Sequence, residues 1–337
     1  MRIRTAVIGG GSWGTTVAHL AAHQVPTMLW ARRDDLATEI NERHTNERYL
    51  PGFSLHPDLS CSSDLIEVVQ QADVLVMGVP SQGFRSALEQ VAPHVRAWVP
   101  VLSLTKGREQ TTQLRMTQII NQVMPGHPAA VLTGPNLAKE ILRGDAAAAV
   151  IATADPVVAD HLQQIFHMNL FRVYTNPDVI GCELAGALKN VIAIAAGMAD
   201  GLGTGDNTKA MVITRGLAEL SRLGEAMGGQ FATFAGLAGM GDLMATCMSQ
   251  QSRNRHVGEE LGKGRTIEEI ISDMNMVAEG VKTSRVVMAL AKQYNVEMPV
   301  ASEVFAVCHE GATALDAYRG LIRRQIGGLE HSSLQFH

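Results

Sequence analysis

The sequence predicts an α/β domain followed by an all-α domain, and three observations carry that expectation. Short β-rich runs alternate with helical patterns up to residue 178. A glycine-rich turn separates the first of these runs from the first helix. Beyond residue 180 strand patterns almost vanish, and long segments rich in Ala, Met, Glu and Leu follow one another through glycine-containing turns. The expected division is 1–178 and 179–330. A chain of 337 residues, 46% hydrophobic and 18% charged, is long enough to bury two such cores.

Residues 3–8 form the first strand candidate. Gly9, Gly11 and Gly14 follow in G-x-G-x-x-G spacing, and "TTVAHLAAH" then has a helical pattern. In this order the first glycine permits a tight turn, the second lets a pyrophosphate approach the backbone, and the third lets helix pack closely on strand. The helix N-terminus favours the phosphate charge. The segment therefore reads as a Rossmann-like dinucleotide site; the alternative is a glycine turn of purely structural use.

The next strand lies within "VPTMLWARRDD", where a strict NAD binder would place an acidic residue for the ribose. Arg32 and Arg33 stand there instead, which favours NADP(H) through contacts to its 2′-phosphate. The alternative leaves both arginines solvated and gives the ribose to Asp34 or Asp35. Further β-rich runs cover 72–81, 98–107 and 129–141, each passing from apolar residues into turn-forming ones. Ligands bind at the carboxyl ends of strands in an open α/β sheet, so Lys106, just before Gly107, is placed to meet phosphate or substrate. Runs at 148–152 and 171–174 add outer strands.

In the second half, helices are expected over 182–199, 208–224, 253–261, 266–272, 280–293 and 299–308. The stretch "CELAGALKNVIAIAAGMADG", 182–201, sets Lys189 and Asn190 among apolar and small residues. At about 100° per residue, Leu184, Leu188, Val191, Ala195 and Met198 share one face, and Lys189 falls beside Ala185, Gly186, Ala193 and Ala196. Two readings stand open: a side chain snorkelling to solvent, or a buried amine able to exchange a proton. "GLAGMGDLMATC" brings Asp242 through a glycine-rich approach to a helix. "SQQSRNRHVGEELGKG" offers Ser252 as an N-cap, with Arg253 and Asn254 in the first turn, a receptor for a phosphate end. Without that context Arg253 and Arg255 are surface residues, and "GTGDNTKA" is an inter-helix turn capped by Asn207 or Thr208. A helical domain beside a coenzyme domain is expected to hold its substrate in the cleft between them.

A formal charge of −5 and an isoelectric point near 6.2 argue against a general nucleic-acid surface. The four cysteines, 61, 182, 247 and 308, form no close pair and no Cys/His ligand cluster, so neither a disulfide scaffold nor a metal site is expected. A reducing, cytoplasmic setting fits this usage. The amino-terminal apolar run spans only Thr5–Ile8 before three glycines, so it reads as a strand. Segment 184–199 is interrupted by Lys189 and Asn190 and is read as falling short of a membrane span.

The motifs "GGGSWGTTVA", "LTKG", "GPNLA", "ELAGALKNVIAIAAGMADGLGTGDNTKA", "GLAGMGDLMATC", "QSRNRHVG" and "VAEGVKT" lie along nearly the whole chain. Together they resemble the bacterial NAD(P)-dependent glycerol-3-phosphate dehydrogenase family. That resemblance implies reversible reduction of dihydroxyacetone phosphate to sn-glycerol 3-phosphate by NADH or NADPH, feeding phospholipid synthesis in the cytoplasm. It implies Lys189 as proton donor and acceptor, and Lys106, Gly134, Asp242, Ser252, Arg253 and Asn254 as substrate contacts. It implies Ser12, Trp13, Arg33, Lys106, Ala138, Arg253, Val277 and Glu279 as coenzyme contacts. Many members read GPSFA where this chain has "GPNLA", so Asn136 is expected to meet substrate through an amide, and Leu137 offers no ring for packing.

The chemistry points the same way. Reducing a ketone needs a proton source near the oxygen where negative charge develops, and a lysine ammonium meets that need. A carboxylate beside Lys189 would favour its charged form and desolvation would oppose it. Asp242 is expected to orient substrate hydroxyls, with Lys189 desolvated mainly when the cleft closes. The competing readings are a two-domain dehydrogenase of a hydroxy acid or phosphosugar acid, and a non-catalytic NADPH-sensing protein. Ala- and Met-rich helices such as "FATFAGLAGMGDLMA" leave a homodimer open.

Overall fold

The computed structural model describes residues 3–274 and 278–323. The chain divides into two compact units, Met1–Glu183 and Leu184–His337.

The first unit carries strands β1 (Thr5–Ile8), β2 (Thr27–Trp30), β3 (Thr45–Asn46), β4 (Leu50–Ser54), β5 (Leu59–Ser62), β6 (Val74–Met77), β7 (Val101–Ser103), β8 (Ala129–Thr133), β9 (Ala147–Ala152) and β10 (Phe171–Asn176). Eight of them form one sheet in the order β10-β9-β8-β7-β6-β1-β2-β5, while β3 and β4 make a separate antiparallel pair. Neighbours run parallel except β8 and β9. Helices α1 (Ser12–Ala22), α2 (Asp34–Arg43), α3 (Leu65–Gln70), α4 (Ser81–Val91), α5 (Met116–Val123), α6 (Ala138–Arg143) and α7 (Pro156–Phe166) connect the strands.

Alternation along the strands builds a core on each side of the sheet. Val7, Leu29, Val76 and Leu102 belong to one core with Val17, Leu36 and Leu162 from α1, α2 and α7. Ile8, Leu75, Met77 and Val101 belong to the other with Phe84, Leu88 and Ile119 from α4 and α5. Two-sided burial is why these strands read as continuous apolar runs in the sequence. Every β-rich run expected there contains a strand, but the segment 45–62 holds three strands that the patterning missed. Its "LPGFS" strand contains Pro and Gly and is mostly exposed, so it has neither alternation nor an apolar run.

The second unit is helical: the remainder of α8 (Val179–Gly201), then α9 (Asp206–Ala226), α10 (Phe231–Ala235), α11 (Asp242–Met248), α12 (Arg253–Gly262), α13 (Ile267–Asp273), α14 (Glu279–Tyr294), α15 (Pro299–His309) and α16 (Ala314–Arg323). A π-helical turn, Leu237–Gly241, leads into α11. The break between these compact units falls after Glu183, inside α8. Glu183 ties the start of α8 to the first unit: its carboxylate accepts from the backbone N–H of Thr117 at 2.9 Å and pairs with Arg115.

Helix α8 is buried along almost its whole length, so it has no solvent face. Its 23 residues are long and apolar enough to cross a membrane, a departure from the sequence reading, yet 89% of its apolar window is buried inside the protein. That is the burial of a core helix. Small residues let α12 lie against it backbone to backbone. A Cβ on Gly197 would sit 2.0 Å from the carbonyl oxygen of Arg255, and one on Gly258 would sit 2.0 Å from that of Ile194. Asp200 near the end of α8 accepts from Lys209 of α9 at 2.9 Å and from Arg255 of α12 at 2.8 Å, closing a three-helix junction. The buried carboxylate of Glu219 on α9 accepts from Val300 N at 2.7 Å and Ala301 N at 3.2 Å, capping α15.

Candidate active site

In the first unit the turn between β1 and α1 divides its glycines by use. Gly9 has φ +125°, and a Cβ there would stand 2.5 Å from Gly78 O; one on Gly14 would stand 2.0 Å from Gly9 O. Both are required by backbone contact. A Cβ on Gly11 would meet no described atom within 4 Å. Open space at that one glycine, beside the α1 N-terminus with no side-chain cap, is a cradle suited to a dinucleotide pyrophosphate. Ser12 is exposed there, and Trp13 packs partly against the core with its indole N–H unpartnered among the described residues.

Arg32 and Arg33 follow β2, the parallel neighbour of β1, and both are exposed. Arg33 is engaged within the chain: its Nε donates to Asp35 at 2.7 Å, and a second guanidinium nitrogen also reaches that carboxylate. The hydrogen bond from Arg33 holds the Asp35 carboxyl down at about 2. A 2′-phosphate would therefore meet an arginine with a carboxylate at its side, not two uncommitted cations. Lys106, after β7, donates to the carbonyl of Gly134 at 2.9 Å. Gly134 has φ +124°, and a Cβ there would press on Ala149 Cα at 3.2 Å, so this residue acts through its backbone. Two residues on, both amide atoms of Asn136 are buried and find no hydrogen-bond partner among the described residues. Leu137 caps α6, and Ala138 is its first residue.

In the second unit Lys189 is 5% exposed and Asp242 2%. The snorkelling reading is excluded. The Lys189 ammonium donates to Asp242 and to the hydroxyl of Thr246, which in turn donates to the Asp242 carbonyl at 2.7 Å. The Asp242 carboxylate is thus engaged with Lys189, and the amine is buried beside it.

Ser252 caps α12, accepting from Arg255 N at 3.2 Å. Arg253 is exposed in the first turn, while Arg255 pairs with Asp200 and Glu259 and serves the helix junction. Asn254 donates to Asn190 Oδ1 and accepts from Gly280 N, both at 2.9 Å, so its amide ties α8, α12 and α14 together. Glu279 is exposed at the start of α14, and Val277 lies outside the described residues. The structure thus brings Lys189 to Asp242, Lys106 to Gly134, and Asn254 to the neighbours of Lys189 and Glu279.

Residues 4–159 match the family model for the NAD-dependent glycerol-3-phosphate dehydrogenase N-terminus, and residues 178–319 match the model for its C-terminus. The chain belongs to this family. It is 58% identical to a glycerol-3-phosphate dehydrogenase [NAD(P)+] of Sphingopyxis alaskensis, over 98% of this chain and 99% of that one. A relative of the same name from Mycobacterium avium is 54% identical, over 98% and 97%. The crystal structure of glycerol-3-phosphate dehydrogenase from Coxiella burnetii aligns with a TM-score of 0.90 at 34% identity, covering 96% of this chain and 99% of that one.

For this member of the glycerol-3-phosphate dehydrogenase family, sequence reasoning missed Thr246 and Asn190. Thr246 was findable: it follows Asp242 by four residues, which places both on one face of a helix. Asn190 adjoins Lys189, but its partner lies 64 residues away, a pairing that spacing does not reveal. The thiol of Cys247, beside this cluster, is pushed up to about 12 by burial, so it is no nucleophile.

Proposed function

We propose that the chain catalyses reversible reduction of dihydroxyacetone phosphate to sn-glycerol 3-phosphate by NADH or NADPH, with Lys189 exchanging the proton. Relatives across its full length carry the name glycerol-3-phosphate dehydrogenase [NAD(P)+]. The observation that carries the residue assignment is a buried lysine held between a carboxylate and a hydroxyl. The coenzyme, when bound at the glycine loop, supplies the hydride to the carbonyl carbon. Lys189 stabilises the negative charge developing on the carbonyl oxygen and delivers its proton there, ending as a neutral amine. Asp242 keeps the amine charged before transfer and aimed throughout, and Thr246 fixes its second direction. In the oxidative direction the neutral amine takes the hydroxyl proton, so that direction gains from rising pH.

Arg253 and the amide-rich first turn of α12 receive the phosphate end. Lys106, Gly134 and Asn136 form a second polar group for substrate or coenzyme. In this reading residues 1–178 bind coenzyme and 179–330 hold substrate and the proton donor. The product belongs to glycerophospholipid synthesis in the cytoplasm, which suits four free cysteines. A homodimer completes the reading, supported by the exposed Met211, Phe231, Met240 and Met248 on neighbouring elements; sedimentation at micromolar concentration tests it.

The deciding experiment replaces Lys189 by methionine, which keeps length but supplies neither charge nor proton. Reduction of dihydroxyacetone phosphate should fall by roughly a hundredfold or more, while NADH binding, followed by its fluorescence, stays within a few-fold of wild type. Near-normal turnover would overturn the assignment. A panel containing a hydroxy acid and a phosphosugar acid at equal concentration separates the substrate classes.

A further inference from the structure

The hairpin β3–β4 has no role in the account so far, although it contains a polar side chain sealed against the coenzyme loop. Asn46, in β3, is fully buried. Its amide nitrogen donates to the carbonyl of Gly10 at 3.1 Å and to the hydroxyl of Thr15 at 2.9 Å. Gly10 lies between the two loop glycines, and Thr15 lies in the first turn of α1, where its own backbone N–H donates to Gly11 O at 2.9 Å. One NH2 group therefore spans the loop and the helix that follows it, spending one hydrogen on each. The amide oxygen accepts from Tyr49 N at 3.4 Å, inside the turn of the hairpin. The hairpin is closed at its base by Leu55 N donating to His44 O at 2.7 Å.

We propose that Asn46 is a positioning residue for the coenzyme: by fixing Gly10 relative to Thr15, it sets the direction of the loop and first-turn N–H groups that meet the pyrophosphate. The inference rests on the reading of the glycine loop as a coenzyme site. Of the side chains of this size, only asparagine offers two N–H donors on one atom with an acceptor beside it. A peptide carbonyl cannot be turned without breaking the bond to Asn46, so the loop is held in its binding geometry before coenzyme arrives. Pre-formed donors are worth more to an anion than donors that must be reoriented on binding. The hairpin thus works as a strap over the back of the loop.

The experiment measures NADH and NADPH binding by fluorescence titration, with steady-state kinetics, for wild type, Asn46→Asp, Asn46→Ala and Thr15→Val. Asn46→Asp keeps the shape, removes both donors and sets a carboxylate against Gly10 O. Its Kd for both coenzymes should rise by roughly tenfold or more, and should fall again as pH is lowered and the new carboxyl gains a proton. Thr15→Val cuts one of the two bonds and should show a smaller rise, which keeps the inference testable if an Asn46 variant folds poorly. In every folded variant KM for dihydroxyacetone phosphate should stay within about twofold, because no substrate contact is touched. Coenzyme affinity equal to wild type in folded Asn46→Asp would overturn the inference and leave the coenzyme reading intact. Failure of wild type to bind either coenzyme would instead remove the reading beneath it. A variant whose melting temperature falls with unchanged coenzyme Kd would show a structural role only, and would also overturn the inference.

Discussion

Replacing Gly197 by alanine tests how Lys189 and Arg253 are held in register. The new methyl would lie 2.0 Å from Arg255 O and 2.9 Å from Glu259 N, both backbone atoms of α12 that cannot swing aside. Ordinary contact begins at 3.4 Å, so α8 and α12 must part locally by about 1.4 Å. Overpacking of this kind costs about 1–3 kcal/mol, a fall in melting temperature of roughly 2–12 °C for a unit of this size. The larger effect should be on turnover. Lys189 and Asn190 ride on α8, Arg253 and Asn254 on α12, and the 2.9 Å bond between Asn190 and Asn254 joins them. A misplacement of about 1 Å between reacting groups costs on the order of a hundredfold. Steady-state kinetics should therefore show kcat reduced on that scale, with coenzyme Kd changed far less because the glycine loop lies in the other unit. Gly83→Ala, where no described atom lies within 4 Å of the new methyl, is the control and should leave stability level or slightly raised. A Gly197→Ala enzyme with kcat within about threefold of wild type would refute the idea that backbone contact between these helices sets the catalytic geometry.

Asp35→Asn should release Arg33 and lower KM for NADPH more than for NADH, whereas Arg33→Ala should do the reverse; titrations at two salt concentrations check both, and the NADPH-specific change should shrink as salt rises. Asn136→Ala removes an amide that makes no hydrogen bond among the described residues, so calorimetry should find melting unchanged or raised while KM for dihydroxyacetone phosphate increases. The pKa of His19 is pushed down to about 4 by burial, with His23 and His56 adding to the effect. Unfolding frees it to take a proton below pH 6.5, so this residue contributes stability that is present above that pH and is lost as pH falls toward 4, by up to about 3 kcal/mol. Melting curves of wild type and His19→Gln across that window should converge toward acid pH; parallel curves would refute the assignment.

The sheet and the long helices were legible because two-sided burial writes apolar runs and helix packing writes a 3.6-residue period, both local signals. The glycine loop was legible from its spacing: Gly14 is demanded by contact with Gly9 O within the same turn, while the contact that demands Gly9 comes from Gly78, far along the chain. Lys189 could be singled out but not resolved, since its burial depends on α11 arriving from more than fifty residues away, with Asp242 and Thr246 on it. The same distance hid the pairing of Asp242 with Lys189. The Arg33–Asp35 pair was hidden for a nearer reason: the two stand two residues apart, and sequence does not say which neighbour a surface arginine chooses. The hairpin escaped because its strands are short, exposed and interrupted by Pro51 and Gly52.

Helix α8 combines membrane-like apolarity with a partner that is made late. The glycine face of α12 that covers it ends at Gly262, about sixty residues after α8 is complete. At bacterial-type synthesis rates of roughly 5–20 residues per second, that interval is roughly 3–12 s. Throughout it, a 23-residue segment able to pass for a lipid-seeking one stands on the ribosome without its cover. Lys189 and Asn190 sit in its middle, and an ammonium group there is costly to place at the centre of a bilayer.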